Sequence, residues 1–405
     1  MIKITLIGAR LCLNLGGPSL LVSTRKVLSK VFPEAEYTYC VPCAFYERDI
    51  ALASKYDIKI IPYYINKWSL LLTFLKRFTG ISIGCPYSKA TIKALEQADL
   101  FVDIWGIGFS DELGSNTWRG RMTEGFDFAM AKILGKPIIK YTSDAGPFCF
   151  KWNRFFAKLY FGHFVDLILA RDEATRTYIE SLGIKTKMLV VPDTAFLLES
   201  RESEESEYYK ALRVKCPIIG LSVSFQARDR FAGKTSYTEV MKNFVNYLIA
   251  KHSAHVVVLP NELSETKDDD TCIAEELCAR VNHKNCRMVN TQDLLAQETK
   301  GIIEQCDVVV AARYHTIVAA LSLGIPTLAI GWHHKYQGVL ELFEQEGSLC
   351  NIKELNLKQL TGKFDEVWDN RNEIGNMIKS RLGDVKEKIA IGASTVYDLY
   401  SQKTK

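Results

Sequence analysis

Short apolar runs recur along the chain, each closed by glycine, proline or polar residues. Longer stretches between them carry apolar residues at helical spacing. Ile2–Ile7, Tyr37–Cys40, Ile58–Tyr63, Leu100–Ile104, Ile138–Tyr141, Leu167–Ala170 and Met188–Val191 read as a first series of strands. Glu124–Leu134 and Glu173–Leu182 are examples of the helices between them. A second series follows, with strands at Ile218–Val223, Val256–Leu259, Arg287–Val289, Val308–Ala311 and Thr327–Ile330. Its helices fall near Tyr237–Lys251, Ala274–Val281, Thr291–Gln305 and Gln337–Glu346. Alternation of this kind predicts parallel sheets covered on both faces. The simplest α/β architecture is two Rossmann-like domains facing a cleft, a common place for a ligand.

Between the two series the composition changes. Glu199–Tyr209 reads ESRESEESEYY, nearly without aliphatic residues, and suits a solvated loop or an exposed helix turn. It divides the chain into a first domain over 1–198, an acidic linker over 199–215, a second domain over 216–363 and a polar helical tail over 364–405. A length of 405 residues fits two domains better than one. The balance of 51 basic and 47 acidic residues, net +4, is too even for a nucleic-acid binder, and no dense basic cluster appears.

Eleven scattered cysteines lack disulfide-framework spacing and fit a reducing cytoplasm. Cys40-Val41-Pro42-Cys43 is the only close pair; without a second pair or a nearby histidine it reads as ordinary core or loop residues, and no metal site is expected. Lys3–Gly8 looks like a first strand rather than a signal peptide, and no apolar run approaches a spanning length of roughly 20 residues. The expected location is cytoplasmic, with the inner face of the membrane as a variant of it. The segment Trp68–Phe78, WSLLLTFLKRF, is an apolar helix ending in Lys76 and Arg77. Core packing is its expected role and contact with lipid headgroups the alternative.

The richest stretch is residues 306–331, CDVVVAARYHTIVAALSLGIPTLAIG. It reads strand, turn, helix, then Gly324 and Pro326 as a stop, then strand. Arg313 and His315 therefore stand at a strand's carboxyl end and a helix N-terminus, where open α/β sheets bind ligands and where amides favour anions. An arginine offers a permanently charged fork, and a histidine a proton carrier near neutral pH. A capping or surface pair is the plain alternative.

Other strand ends offer weaker candidates. Asn14-Leu15-Gly16-Gly17 has amides that suit an anion, though Pro18 also suits an ordinary first helical turn. Gly106 and Gly108 permit close approach of a ligand, or only a tight turn. Ser143 opens SDAGP after the next strand. Arg171 follows Leu167–Ala170, with pairing to its neighbours Asp172 and Glu173 as the alternative. Trp332-His333-His334-Lys335 follows the last clear strand and offers a cation to phosphate. Asp268–Asp270 reads as an exposed helix start.

Together these pieces resemble the polysaccharide pyruvyl transferase family. The resemblance rests on Ala312-Arg313-Tyr314-His315 with Ala319, Gly324-Ile325-Pro326 and Lys335. Ser143–Phe148, Ala170-Arg171-Asp172-Glu173, Pro192–Phe196 and Val258-Leu259-Pro260 support it. It implies a GT-B-like fold and transfer of the enolpyruvyl unit of phosphoenolpyruvate to a sugar, as a ketal across two hydroxyls. The setting it implies is exopolysaccharide or capsule biosynthesis. The implied donor is phosphoenolpyruvate, and the implied scheme requires neither nucleotide nor metal cofactor. The acceptor is a sugar, expected to be lipid-linked, which allows peripheral membrane contact.

The resemblance also implies that the first domain serves the acceptor side and part of the donor site, and the second the donor side. It makes His315 the general acid–base, Arg171 and Arg313 anion clamps facing the same cleft, and Lys335 a third cation. Asn14, Gly106, Gly108 and Ser143 are the expected further substrate contacts. Gly17 stands where the family pattern has an acidic residue, and Trp332 where tyrosine is common, so the acceptor contacts differ. A nucleotide-sugar-dependent GT-B glycosyltransferase is the alternative, and a non-catalytic sugar-binding protein a third reading.

Overall fold

The computed structural model describes residues 1–112, 117–263 and 269–403. The chain divides into two compact units, one formed by residues 1–12, 20–194 and 387–405 and the other by 13–19 and 195–386.

In the first unit the strands are β1 Lys3–Ile7, β2 Glu36–Pro42, β3 Ile60–Tyr63, β4 Leu100–Asp103, β5 Ile107–Gly108, β6 Ile138–Ala145, β7 Leu167–Ala170 and β8 Lys187–Val190. All pair in parallel, in the order β3-β2-β1-β4-β6-β7-β8, with the short β5 on β6. The strands in the middle read as continuous apolar runs because helices cover both faces. Phe101, Ile138 and Ile168 pack with Phe128, Phe156 and Phe161 of the helices into one core.

The second unit has β9 Ile218–Ser222, β10 His255–Val258, β11 Cys286–Met288, β12 Val308–Ala311, β13 Thr327–Gly331 and β14 Leu349–Asn351. Its order is β11-β10-β9-β12-β13-β14, again all parallel. Both sheets thus run outward from the first strand, then reverse at its other side. This is the doubly wound order, with switch points between β1 and β4 and between β9 and β12.

Several expectations change at the level of elements. The acidic stretch is not a linker: Glu204–Arg213 is a helix of the second unit, with Ser203 as a reciprocal cap and Tyr209 fully buried. Its first-turn glutamates suit the positive end of the helix dipole. The tail is likewise not separate. The helix Leu357–Asp369 buries Phe364 in the second core, and the last helix, Arg371–Lys403, gives residues 387–403 to the first unit. There Phe32 meets Tyr397 with ring centroids 5.3 Å apart.

The expected helix Glu124–Leu134 is found as Phe126–Ile133, which starts after Gly125, where the Tyr160 ring occupies the space a side chain would need; a separate short helix, Trp118–Thr123, precedes it. Asp270 is not exposed: it is fully buried in the first turn of Asp270–Val281, with Asp269 as cap, while Asp268 lies outside the described residues. The helix Ser69–Thr79 also departs from expectation, because it buries Ser69 and Thr73 and leaves Trp68, Leu71, Phe74 and Phe78 exposed. Cys40 is a core residue of β2. Among the described residues no helix is long and apolar enough to cross a membrane.

Candidate active site

The carboxyl ends of the first sheet gather polar residues the chain scatters widely. Gly8 leaves β1 at φ +105°, and a side chain there would collide with the Trp105 backbone. A cavity of about 350 Å³ opens at this β1/β4 switch point, lined by Tyr63, Asp103, Trp105, Phe126, Asp127 and Lys140 among others. That volume and lining are those of a small-molecule pocket.

Asp103, the last residue of β4, accepts from the Trp105 amide (2.7 Å) and from Lys140 Nζ (2.7 Å). Lys140 also donates to the Trp105 carbonyl (3.0 Å), which Ser143 Oγ reaches at 2.6 Å. The buried ammonium thus makes two hydrogen bonds, and it fixes the turn that carries Trp105. Asp127 opens the next helix, its Oδ1 accepting from the Phe128 amide at 2.9 Å. Burial, then the charge of Asp103, push its carboxyl from the ordinary 3.8 up to about 8.

β6 shifts register between Lys140 and Ser143, with Thr142 in the left-handed region at φ +38°. Such a bulge re-aims the residues around it. Here it turns the Thr142 carbonyl to Arg171 Nε (3.0 Å). Arg171 Nη1 donates to Asp144 Oδ2 (2.8 Å), and Nη2 lies 3.2 Å from Asp193 Oδ2. The guanidinium is 4 % exposed and both carboxylates are fully buried. Arg171 thus reaches Asp144 and Asp193 across the sheet, and Asp172 caps the following helix. Gly106 lies against this group: a Cβ there would sit 3.0 Å from Arg171 Nη2. Gly106, Gly108, Ser143 and Arg171 are thus brought together around the Trp105 turn.

The second unit repeats the scheme at its own strand ends. Arg313 follows β12 and forks onto Asp270, with Nε to Oδ2 at 2.7 Å and Nη2 to Oδ1 at 2.6 Å. Nη1 meets Glu262 Oε2 at 2.6 Å. Asp270 also accepts from the amides of Phe225 (3.0 Å) and Glu262 (3.0 Å). Burial works against the arginine's charge, and Asp270 and Glu262 outweigh it, so its pKa lies above the usual value. An incoming anion would meet an arginine whose fork already holds a carboxylate.

His315, half-buried, is the second residue of the helix Tyr314–Ser322. Its ring rests on the backbone of Gly16, where a Cβ would lie 2.2 Å from Nδ1. Asn14 holds the same turn, accepting from the Gly17 amide at 2.8 Å and bridging to Glu262. One of the amides proposed for an anion is therefore used in capping. His315 also borders a small pocket of about 20 Å³ that includes Lys300, a buried cation donating to the Leu198 carbonyl.

Lys335 stands in the first turn of the helix His334–Glu341. Its ammonium lies 5.4 to 5.5 Å from the ring centroids of Tyr314, Trp332 and Tyr336, a cage that favours a cation. His333 caps that helix through Nδ1, and Tyr336 Oη donates to the Ala312 carbonyl at 3.0 Å. Asn14, Arg313, His315 and Lys335 are thus neighbours by way of Glu262, Gly16 and Tyr314.

The sequence reading missed most partners: Asp103, Asp127, Lys140, Glu262 and Lys300 were unmarked, Asp193 stood only within the motif Pro192–Phe196, and Asp270 was misplaced on the surface. Asp103 and Lys140 carried a usable signal, each a charge set in an otherwise apolar strand.

Two doubly wound parallel units, each with an arginine and two carboxylates at its strand ends, define a GT-B-like α/β protein. Solved structures of similar fold include the Anabaena protein HepE in complex with UDP, at TM-score 0.61 and 14% identity over 99% of this chain and 100% of that one. MnaA of Staphylococcus aureus with UDP gives 0.59 and 17% over 93% and 90%. The chain belongs to the polysaccharide pyruvyl transferase family, whose profile matches residues 14–334. Among its relatives, the amylovoran biosynthesis protein AmsJ of Erwinia amylovora is 23% identical over 295 residues, 70% of this chain and 69% of its own. The matched region takes in every candidate above except Lys335, one residue beyond it.

Proposed function

We propose that this transferase moves the enolpyruvyl unit of phosphoenolpyruvate onto a sugar of a surface-polysaccharide precursor, forming a pyruvate ketal. The observation that carries the proposal is the seating of His315 over Gly16, beside Arg313 and the caged Lys335, inside the region matched by the family.

Ketal formation joins two sugar hydroxyl oxygens to C2 of the donor and breaks its bond to the phosphate oxygen. One hydroxyl proton ends on the methylene carbon, making it a methyl, and the other leaves with phosphate. His315 is the proton carrier suited to this exchange. Lys335 balances charge as phosphate departs. Arg313 keeps its fork on Asp270 and offers Nη1 to the donor in place of Glu262, the more exposed of its two partners. Arg171, paired with Asp144 and Asp193, holds the Gly106 turn in place.

The cavity of the first unit is the proposed acceptor site. Aromatic faces suit a pyranose ring, and a protonated Asp127 donates a hydrogen bond to it. Incubation with phosphoenolpyruvate and a panel of galactosides and amino-sugar glycosides, followed by phosphate release and product mass, tests the reading. Turnover of a nucleotide sugar without acceptor-dependent phosphate release overturns it.

A further inference from the structure

The helix Ser69–Thr79 is inverted relative to its composition. Its buried positions are Ser69 and Thr73, whose hydroxyls are satisfied locally: Thr73 Oγ1 donates to the Ser69 carbonyl at 2.7 Å. Leu70 and Leu72 reach the core edge. The outward face carries Trp68, Leu71, Phe74 and Phe78, and the segment beyond it adds Ile81 and Ile83, all at least half exposed. Phe78 is 70% exposed, and its ring lies tilted against that of Phe74 with centroids 4.4 Å apart. Scattered single exposed apolar residues need no explanation, but a contiguous group of this size does.

The charge around this face is one-sided. Between Asp57 and Glu96 the chain holds six basic residues and no acidic one. Lys67, Arg77, Lys89 and Lys93 are exposed, while Lys76 pairs with Glu96 at 3.4 Å.

We infer that this face docks on an anionic lipid bilayer surface. Apolar and aromatic side chains enter the headgroup boundary, and the surrounding cations meet the lipid phosphates. A tryptophan at the rim suits that boundary, because its ring is amphipathic. A second copy of the chain fits less well. A symmetric dimer sets a patch against itself, so these cations would face one another. The placement has a use, since residues 65–67 line the 350 Å³ cavity and lead directly into Trp68. Docking brings that cavity to the lipid surface, where a lipid-anchored acceptor would be presented. The docking itself does not depend on the pyruvyl-transfer reading.

Flotation of the full chain with vesicles tests it, and needs neither donor nor acceptor. Vesicles of phosphatidylcholine mixed with phosphatidylglycerol should carry the protein, and added salt should release it. Phe74→Ser with Phe78→Ser should weaken partitioning by about tenfold, and Arg77→Glu by several-fold. These side chains are exposed, so the thermal midpoint should hold, as should turnover of a short water-soluble glycoside. Three results overturn the inference: equal partitioning of variants and parent, equal binding to phosphatidylcholine alone, or a dimer abolished by the same substitutions without vesicle binding.

Discussion

The imidazole of His315 occupies the space that a side chain on Gly16 would fill, with Nδ1 2.2 Å from the position of a Cβ there. Two residues some three hundred positions apart are thus matched in shape. The glycine turn gives the ring its seat. Gly16→Ala should push His315 from its seat and lower kcat by about a hundredfold, the loss typical of an ångström-scale misplacement. The KM for phosphoenolpyruvate should change far less. Steady-state kinetics check this, and an unchanged kcat contradicts the role of the contact.

His315→Ala should lower turnover by about 10²- to 10⁴-fold, the range expected for loss of a positioned proton carrier. Phosphoenolpyruvate should still bind measurably by calorimetry, since the other cations remain. A variant turning over at the parent rate removes the acid–base role.

Arg313 and Glu262 should respond in opposite directions. Arg313→Lys retains the charge but cannot span both oxygens of Asp270, so a fully buried carboxylate loses one of its two charged hydrogen bonds. A loss of about 1–3 kcal/mol in stability is expected, together with weaker donor binding. Glu262→Gln frees Nη1 of a competing charge and should tighten donor binding by roughly fivefold, about 1 kcal/mol. Weaker binding in Glu262→Gln would show that the glutamate serves the donor rather than competing with it.

Asp127 makes stability depend on pH. Its folded carboxyl keeps a proton up to about pH 8, while the unfolded chain releases it near 3.8. Between these values the folded state binds more protons, so stability falls as pH rises. The contribution is fully present below the unfolded value and is lost as pH climbs through the folded one. Asp127→Asn should flatten this slope and gain most at the alkaline end. Urea midpoints on both sides of neutrality measure it, and a parent-like slope in the variant refutes the assignment.

Much of the fold was legible because its strands are buried on both faces and so appear as uninterrupted apolar runs. Val308–Ala311 and Leu167–Ala170 were located to the residue. Arg313, His315 and Arg171 stood out because each follows such a run. The short strands Ile107–Gly108 and Leu349–Asn351 left no such trace. In Ser69–Thr79 apolar residues fill nearly every position, so periodicity cannot tell the core face from the exposed one.

By itself, the amino-acid sequence determined the α/β class, the alternation of elements and which cations stand at strand ends. These follow from local periodicity and from residues a few positions apart. Tertiary structure alone decided what those cations touch. Arg313 reaches Asp270 across 43 positions, Lys140 reaches Asp103 across 37, and Arg171 reaches Asp144 across 27. Parallel strand order sets such pairs side by side at the strands' carboxyl ends, whatever their separation along the chain. A buried charge in turn takes whatever partner that order delivers, because leaving it unpaired costs more than any local preference can offset.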